Sequence, residues 1–168
     1  MQDESSQVVA CIPRLRRYAR ALVGERGSAD DLVQDTLERG WNKLSSWRRG
    51  TDMRAWLFGI MHNLHVDGVR KPTVVTEVFD DDTPELPMRA AQSDGLEIRD
   101  LDTALRSLPT EQREILLLVV LEEMTYDEVA ITLRIPLGTV MSRLSRAREK
   151  LRASMEGRSV VSPLRVVK

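Results

Sequence analysis

Between Arg134 and Arg152 the chain places six Lys or Arg against one Glu, a local charge of +5 in a protein whose formal total is −1. The chemistry this suits is anion recognition. Cationic side chains displace counterions from phosphates, and a forked guanidinium such as Arg143 or Arg146 can also read guanine edges in the major groove. The spacing is that of a helix: Val140, Leu144, Ala147 and Leu151 fall at i, i+4, i+7 and i+11, a stripe within roughly 40° of rotation at about 100° per residue. Opposite that stripe lie Ser142, Ser145, Arg146 and Glu149. Arg143 and Lys150 stand on one flank, Met141, Arg148 and Arg152 on the other. Taken alone, a basic amphipathic helix is equally a solvated surface helix.

What precedes it narrows the choice. Thr125 has Glu128 three positions on, the reciprocal arrangement that satisfies orphan N–H groups at a helix start, so a helix is predicted from Tyr126. Val129, Ala130 and Leu133 recur at helical spacing, Arg134–Ile135 forms a turn, and Pro136 can open the next helix, where its missing N–H costs nothing. Two short helices joined by a tight turn, the second basic, have the form of a helix-turn-helix reader of DNA.

Other chemistries find less support. His62 and His65, three apart on a helix, have no third ligand near them in sequence, and Asp80-Asp81-Asp82 lacks the loop pattern of a calcium hand. Cys11, the single cysteine, excludes an internal disulfide, suggests a reducing compartment and reads as a small buried hydrophobe. There is no nucleophile motif, phosphate-binding glycine loop or pair of catalytic acids. No enzymatic activity, catalytic residue, metal or cofactor is therefore expected. Nothing resembles a signal peptide or a membrane span of roughly 20 apolar residues, so a cytoplasmic location without membrane contact is expected.

Charge divides the 168 residues in three: residues 1–71 hold 12 basic and 9 acidic side chains, 72–100 hold 2 and 8, and 101–168 hold 11 and 9. The middle piece, with Pro72, Pro84, Pro87 and no helical periodicity, reads as an extended acidic linker between two helical domains. In the first domain Val8 to Val23 is one helix, ended by Gly24–Gly27. Ser28 and Asp31 cap a second, whose apolar side is Ala29, Leu32, Val33, Leu37, Trp41 and Leu44. A loop from Ser45 to Thr51 leads to a third helix running to Lys71. By position Trp41 and Trp56 belong to apolar stripes and are expected in the core. In the second domain Leu101, Leu105 and Leu108 mark a helix stopped by Pro109, and Thr110 starts another through Ile115–Leu121.

Four segments, ADDLVQDTLERGW, RAWLFGIMHNLHVDGVRK, LPTEQREILLLVVLEEMTYDEVA and GTVMSRLSRAREKL, in this order around an acidic linker, resemble the extracytoplasmic-function (ECF) sigma factors of bacterial RNA polymerase over roughly residues 10–155. The resemblance implies an all-α fold of two small helical domains. A sigma region 2 bundle would occupy 1–71, a flexible acidic linker 72–95, a region 4 helix-turn-helix domain 96–155 and a tail 156–168. It implies a transcription initiation factor that binds core RNA polymerase at the clamp coiled coil of the largest subunit and at the flap region, reads promoter DNA, and is held by an anti-sigma factor. Asp31, Gln34, Asp35 and Glu38 become the polymerase-docking residues. Trp47, Arg48, Arg49, Phe58, Asn63 and Arg70 become the −10 residues, Trp47 and Phe58 as stacking surfaces and Asn63 for a base edge. Arg54 adds phosphate attraction. Thr139, Met141, Ser142, Arg143, Ser145, Arg146, Arg148 and Lys150 become the −35 residues. Met141 stands where a basic side chain is frequent, so either one phosphate contact is absent or its thioether meets a thymine methyl. Gly59 likewise stands where a basic residue is common. The linker would thread polymerase as an imitation of nucleic acid, or be plain disorder. Two other readings remain: a sigma-like adapter that sequesters an anti-sigma factor, and a stand-alone helix-turn-helix regulator.

Overall fold

The computed structural model describes residues 2–70 and 92–159, which form seven α-helices, one 3-10 turn and no strand. The N-terminal half comprises α1 (Gln2–Val23), α2 (Arg26–Asn42), the 3-10 turn Leu44–Ser46 and α3 (Met53–Arg70). The C-terminal half comprises α4 (Gln92–Ser107), α5 (Thr110–Val120), α6 (Tyr126–Leu133) and α7 (Leu137–Ser159). Most of the acidic linker, 72–91, and the end of the tail, 160–168, lie outside the described residues. Residues 92–95 begin α4 instead of closing the linker, and 156–159 continue α7 instead of starting the tail.

The α1–α2 turn needs Gly24, whose φ of 81° is a region that side chains with a Cβ rarely adopt. The helix that follows starts earlier than its sequence signature suggests. Glu25 takes the cap position, and Ser28, already in the first turn, donates its hydroxyl to the Glu25 carboxylate instead of capping the helix. The buried side of α2 is Ala29, Val33, Thr36 and Gly40, an arc of roughly 60° at about 100° per residue. These are small residues for a reason: a Cβ on Gly40 would lie 2.8 Å from Leu57 Cδ2, so the missing side chain is what lets α3 approach. Trp41 then falls roughly 110° from the centre of that arc and is 52 % exposed, which corrects its expected place in the core.

In the C-terminal half the capping box is present in both directions, with Glu128 N–H donating to Thr125 Oγ1 at 3.1 Å and Thr125 N–H to the Glu128 carboxylate at 2.9 Å. Arg134 ends α6 in the left-handed region (φ 55°). Pro136 is the residue whose carbonyl receives the first bonds of α7, from Thr139 and Val140, one position ahead of the helix proper. Val140, Leu144 and Ala147 are buried and Leu151 is half-buried, so the apolar stripe of α7 faces α5 and α4. Leu101 of α4, by contrast, points mostly to solvent.

The two halves share one core. Tyr18 and Phe58 meet edge to face at 4.8 Å in the first half, and buried Ile115–Leu118 of α5 continue the cluster toward Val129 and Leu133. Arg113 ties the seam. Its guanidinium donates to the carbonyls of Leu22 (2.7 Å), Leu105 (2.8 Å), Arg106 (2.8 Å) and Leu108 (2.9 Å), taking orphan acceptors at the C-termini of α1 and α4. Arg106 adds a bond to the Gly24 carbonyl at 3.0 Å.

Candidate nucleic-acid and polymerase interfaces

The residues expected to act fall on three surfaces. The first is the outer face of α7. Ser142, Ser145, Arg146, Arg148 and Lys150 are exposed, Met141 is 52 % exposed between them, and Thr139 is half-buried at the start of the helix. Arg143 is the exception: it is half-buried and 3.6 Å from the Glu111 carboxylate at the start of α5. Arg148 reaches the Tyr126 hydroxyl at 3.5 Å. The helix therefore presents a cationic surface anchored from below by its apolar stripe, the form that fits a major groove.

The second is the outer face of α2, where Asp31, Gln34, Asp35 and Glu38 are all exposed. Gln34 and Glu38 border an open cleft of about 830 Å³ whose wall includes Trp41, Arg16 and Arg20. Trp41 stands on this face as well, away from the core in which its place on the stripe Ala29, Leu32, Val33, Leu37, Trp41 and Leu44 puts it by sequence. The signal that locates it is the run of small residues, Ala29, Thr36 and Gly40, which sets the true centre of the buried arc.

The third is around the start of α3, and here the expected residues divide. Asn63 and Arg48 are exposed. Arg49 is exposed but held by Glu4 of α1 at 2.6 Å, and Arg70 closes α3 with its side chain outside the described residues. Trp47 and Phe58 are only 8 % and 2 % exposed. Neither ring offers a stacking face in this conformation. Phe58 lies on the same side of α3 as Leu57 and Met61, against Tyr18, while Trp47 folds inward after the 3-10 turn with its indole Nε1 buried and lacking a hydrogen-bond partner. The aromatic group at the exposed site is instead Trp56. It is half-buried and lines, with Asn63 and Ile60, a cleft of about 500 Å³. The far wall of that cleft is α6, through Ile131, Thr132 and Arg134. Gly59 permits this approach, since a Cβ there would lie 3.3 Å from the Thr132 carbonyl oxygen.

The seam beside this cleft holds a group of charges. Glu122, fully buried, lies among Arg14 (3.8 Å), Arg17 (3.6 Å) and Arg54 (3.8 Å). Burial pushes its carboxyl above the ordinary range, against the lowering pull of Arg17, Arg14 and Arg54. Nearby, His62 Nδ1 meets Glu114 Oε1 at 2.5 Å, joining α3 to α5. Burial lowers the His65 pKa, against the nearby Glu114 charge. Burial also raises the Cys11 thiol, consistent with its half-buried place. No group of three or more metal-ligating side chains is found among the described residues, and no helix among them is long and apolar enough to cross a membrane.

Comparison with known proteins matches both halves. A family model described as "Sigma2 domain of PhyR" matches residues 8–62, and one described as "Sigma-70, region 4" matches residues 98–151. The chain is similar to the ECF RNA polymerase sigma factor EcfG of Rhodopseudomonas palustris (strain TIE-1), 37 % identical over 147 residues that cover 87 % of this chain and 81 % of that one. Among solved structures it resembles the sigma factor RpoE in complex with the anti-sigma factor NepR from Bartonella quintana, with a TM-score of 0.76 and 33 % identity over 93 % of this chain and 98 % of that one. It also resembles CnrH in complex with the cytosolic domain of CnrY, with a TM-score of 0.68 and 26 % identity over 93 % and 89 % of the two chains.

Proposed function

We propose, from the premise that this chain belongs to the ECF RNA polymerase sigma factors, a division of labour between its two halves in transcription initiation. The N-terminal half, residues 1–71, docks core polymerase through Asp31, Gln34, Asp35 and Glu38 of α2, with Trp41 as the apolar anchor of the same face. Exposed aromatic groups beside polar side chains are what interface hot spots are made of. That half also captures and opens the −10 element at the cleft formed by Asn63 and Trp56, assisted by Arg48 and Arg49. The C-terminal half, 96–155, reads the −35 element through the outer face of α7, and residues 72–95 connect the two grips. The protein has no catalytic activity of its own, acts in the cytoplasm, and is held inactive by an anti-sigma protein, as the sigma factor RpoE is found bound to NepR.

The observation that carries this reading is the placement of an anionic, Trp-bearing face on α2 and a cationic face on α7, in one chain and in the order of the two family matches. Purified protein is expected to co-elute with core RNA polymerase and to direct it to a subset of promoters in a run-off assay. A protein that binds an anti-sigma factor but not core polymerase would instead support the adapter reading, which the match of residues 8–62 to the PhyR domain favours. Duplex binding as a dimer without polymerase would support the stand-alone regulator.

A further inference from the structure

We propose that Arg14, Arg17 and Arg54 form a phosphate-binding cradle for single-stranded promoter DNA, and that the closed molecule fills this cradle with its own Glu122 carboxylate. The inference rests on the sigma-factor reading for the identity of the strand; Arg54, which the resemblance already gives a phosphate role, is joined here by Arg14 and Arg17 of α1, to which it gives none.

The carboxylate is a poor fit for the site that holds it. Its three arginine partners lie at 3.6–3.8 Å, outside the roughly 2.7–2.9 Å of a charge-assisted hydrogen bond. Both carboxylate oxygens are buried without a hydrogen-bond partner. A buried carboxylate whose cations all stand at 3.6 Å or beyond has lost its hydration with only partial replacement. Three guanidinium groups spaced too widely for a carboxylate suit a larger, tetrahedral anion with more acceptor oxygens, and arginine forks match phosphate in particular. The site is also reachable, because the side chains of Arg14 and Arg17 are more than half exposed and only Arg54 is largely covered. In the present arrangement the same arginines are further occupied by the C-terminal half. Arg17 donates to the Leu121 carbonyl at 3.2 Å, and Arg54 donates to the Glu122 carbonyl at 2.8 Å while pairing with Asp52 at 3.5 Å.

The cradle therefore acts as a latch. Arg14 and Arg17 belong to α1, Arg54 to α3, and Glu122 to the loop between α5 and α6. A strand phosphate that displaces Glu122 also releases Leu121 and Glu122 from α1 and α3. Asp52, the partner of Arg54, lines the Asn63 cleft together with Gly59 and the α6 residues Ile131 and Thr132, so release of the C-terminal half from α1 and α3 frees the α6 wall of that cleft. Binding of the strand and opening of the cleft become one event.

The test uses the full chain without polymerase and a fluorescein-labelled 20-nucleotide oligo-dT as probe, read by anisotropy across a salt series. Glu122→Gln keeps the shape and removes the competing charge, and it is expected to raise affinity about tenfold and to steepen the salt dependence by roughly 0.7 per phosphate gained. Adding Arg14→Ala and Arg17→Ala to that variant should cancel the gain. Gly59→Leu, which wedges α3 from Thr132 without altering charge, should reproduce part of it. Affinity unchanged within twofold in both Glu122→Gln and Gly59→Leu overturns the proposal, as does a gain that survives removal of Arg14 and Arg17. Either result alongside intact co-elution with core polymerase would discard the latch alone and leave the sigma function standing.

Discussion

The two surfaces assigned to DNA are presented in opposite ways. On α7 the apolar stripe is buried and Ser142, Ser145, Arg146 and Arg148 stand outward, so all of the proposed reading face except Arg143, which pairs with Glu111, is presented in the closed molecule. At the start of α3 two of the three aromatic groups are in the core, and the remaining cleft is walled by α6 from the other half of the chain. Duplex recognition needs only a convex cationic helix, whereas capture of an unpaired base needs a concave site with a stacking surface and room for a strand. Under the proposed assignment, the difference implies that the −35 face is presented before the −10 face is.

The strongest attack on this contrast is Phe58→Ala. Because Phe58 is 2 % exposed and packed on Tyr18, truncation should cost about 3–5 kcal/mol of stability, seen as a lower denaturation midpoint, while folded protein at low temperature still opens promoters. Full stability with lost opening would return Phe58 to the DNA surface and erase the distinction. Trp56→Ala should show the reverse pattern. Loss of a stacking surface worth about 1–3 kcal/mol per base should impair −10 opening, followed by 2-aminopurine fluorescence, with core binding retained.

How far these assignments could be read from the sequence depended on the kind of signal. Helix starts governed by local hydrogen bonding, such as Thr125 with Glu128, were legible, as was the α7 stripe, because both are set within a few residues. The burial of Trp41, Trp47 and Phe58 differs from the expectation, because neither a helical stripe nor a place in a loop says which tertiary contact is selected. On α2 that choice is made by Gly40, whose missing Cβ admits Leu57, so a residue without a side chain marks the most buried line. Glu122 was illegible for a related reason. A glutamate after a run of leucines reads as a solvated helix end, and only the approach of α1 and α3 surrounds it with Arg14, Arg17 and Arg54. Gly59 showed in the sequence only as a missing basic residue. The structure explains it as the gap that accepts the Thr132 carbonyl.

The exposed face invites a finer comparison. Arg146 is free of any ion pair within 4 Å among the described residues and should make its DNA contact without first breaking another. Arg146→Ala is expected to reduce −35 discrimination by about 1–3 kcal/mol across single-base variants, and a uniform loss over all sequences would reassign it to phosphate. Arg143 must leave Glu111, so Arg143→Ala should cost less. Glu111→Gln should recover the difference, which for an exposed pair is about 0–1 kcal/mol.

The smallest expected effect concerns pH, and it acts on the seam and not on α7. Burial holds the His65 pKa below its ordinary value, so the folded protein binds fewer protons there than the unfolded chain. The stability this contributes is present above about pH 6.5 and is lost as pH falls through the lowered folded value. Glu122 works the other way. Its raised carboxyl contributes stability below about pH 4.5 that is lost as pH rises through the folded value, so mild acid relieves it. Denaturation midpoints between pH 7.5 and 5 should therefore decline shallowly, with less than one proton of linkage. His65→Gln should flatten the decline and Glu122→Gln should steepen it. If both variants instead moved −35 binding by isolated duplex in parallel with stability, the exposed face would share the seam's titration, and the two surfaces would not be independent.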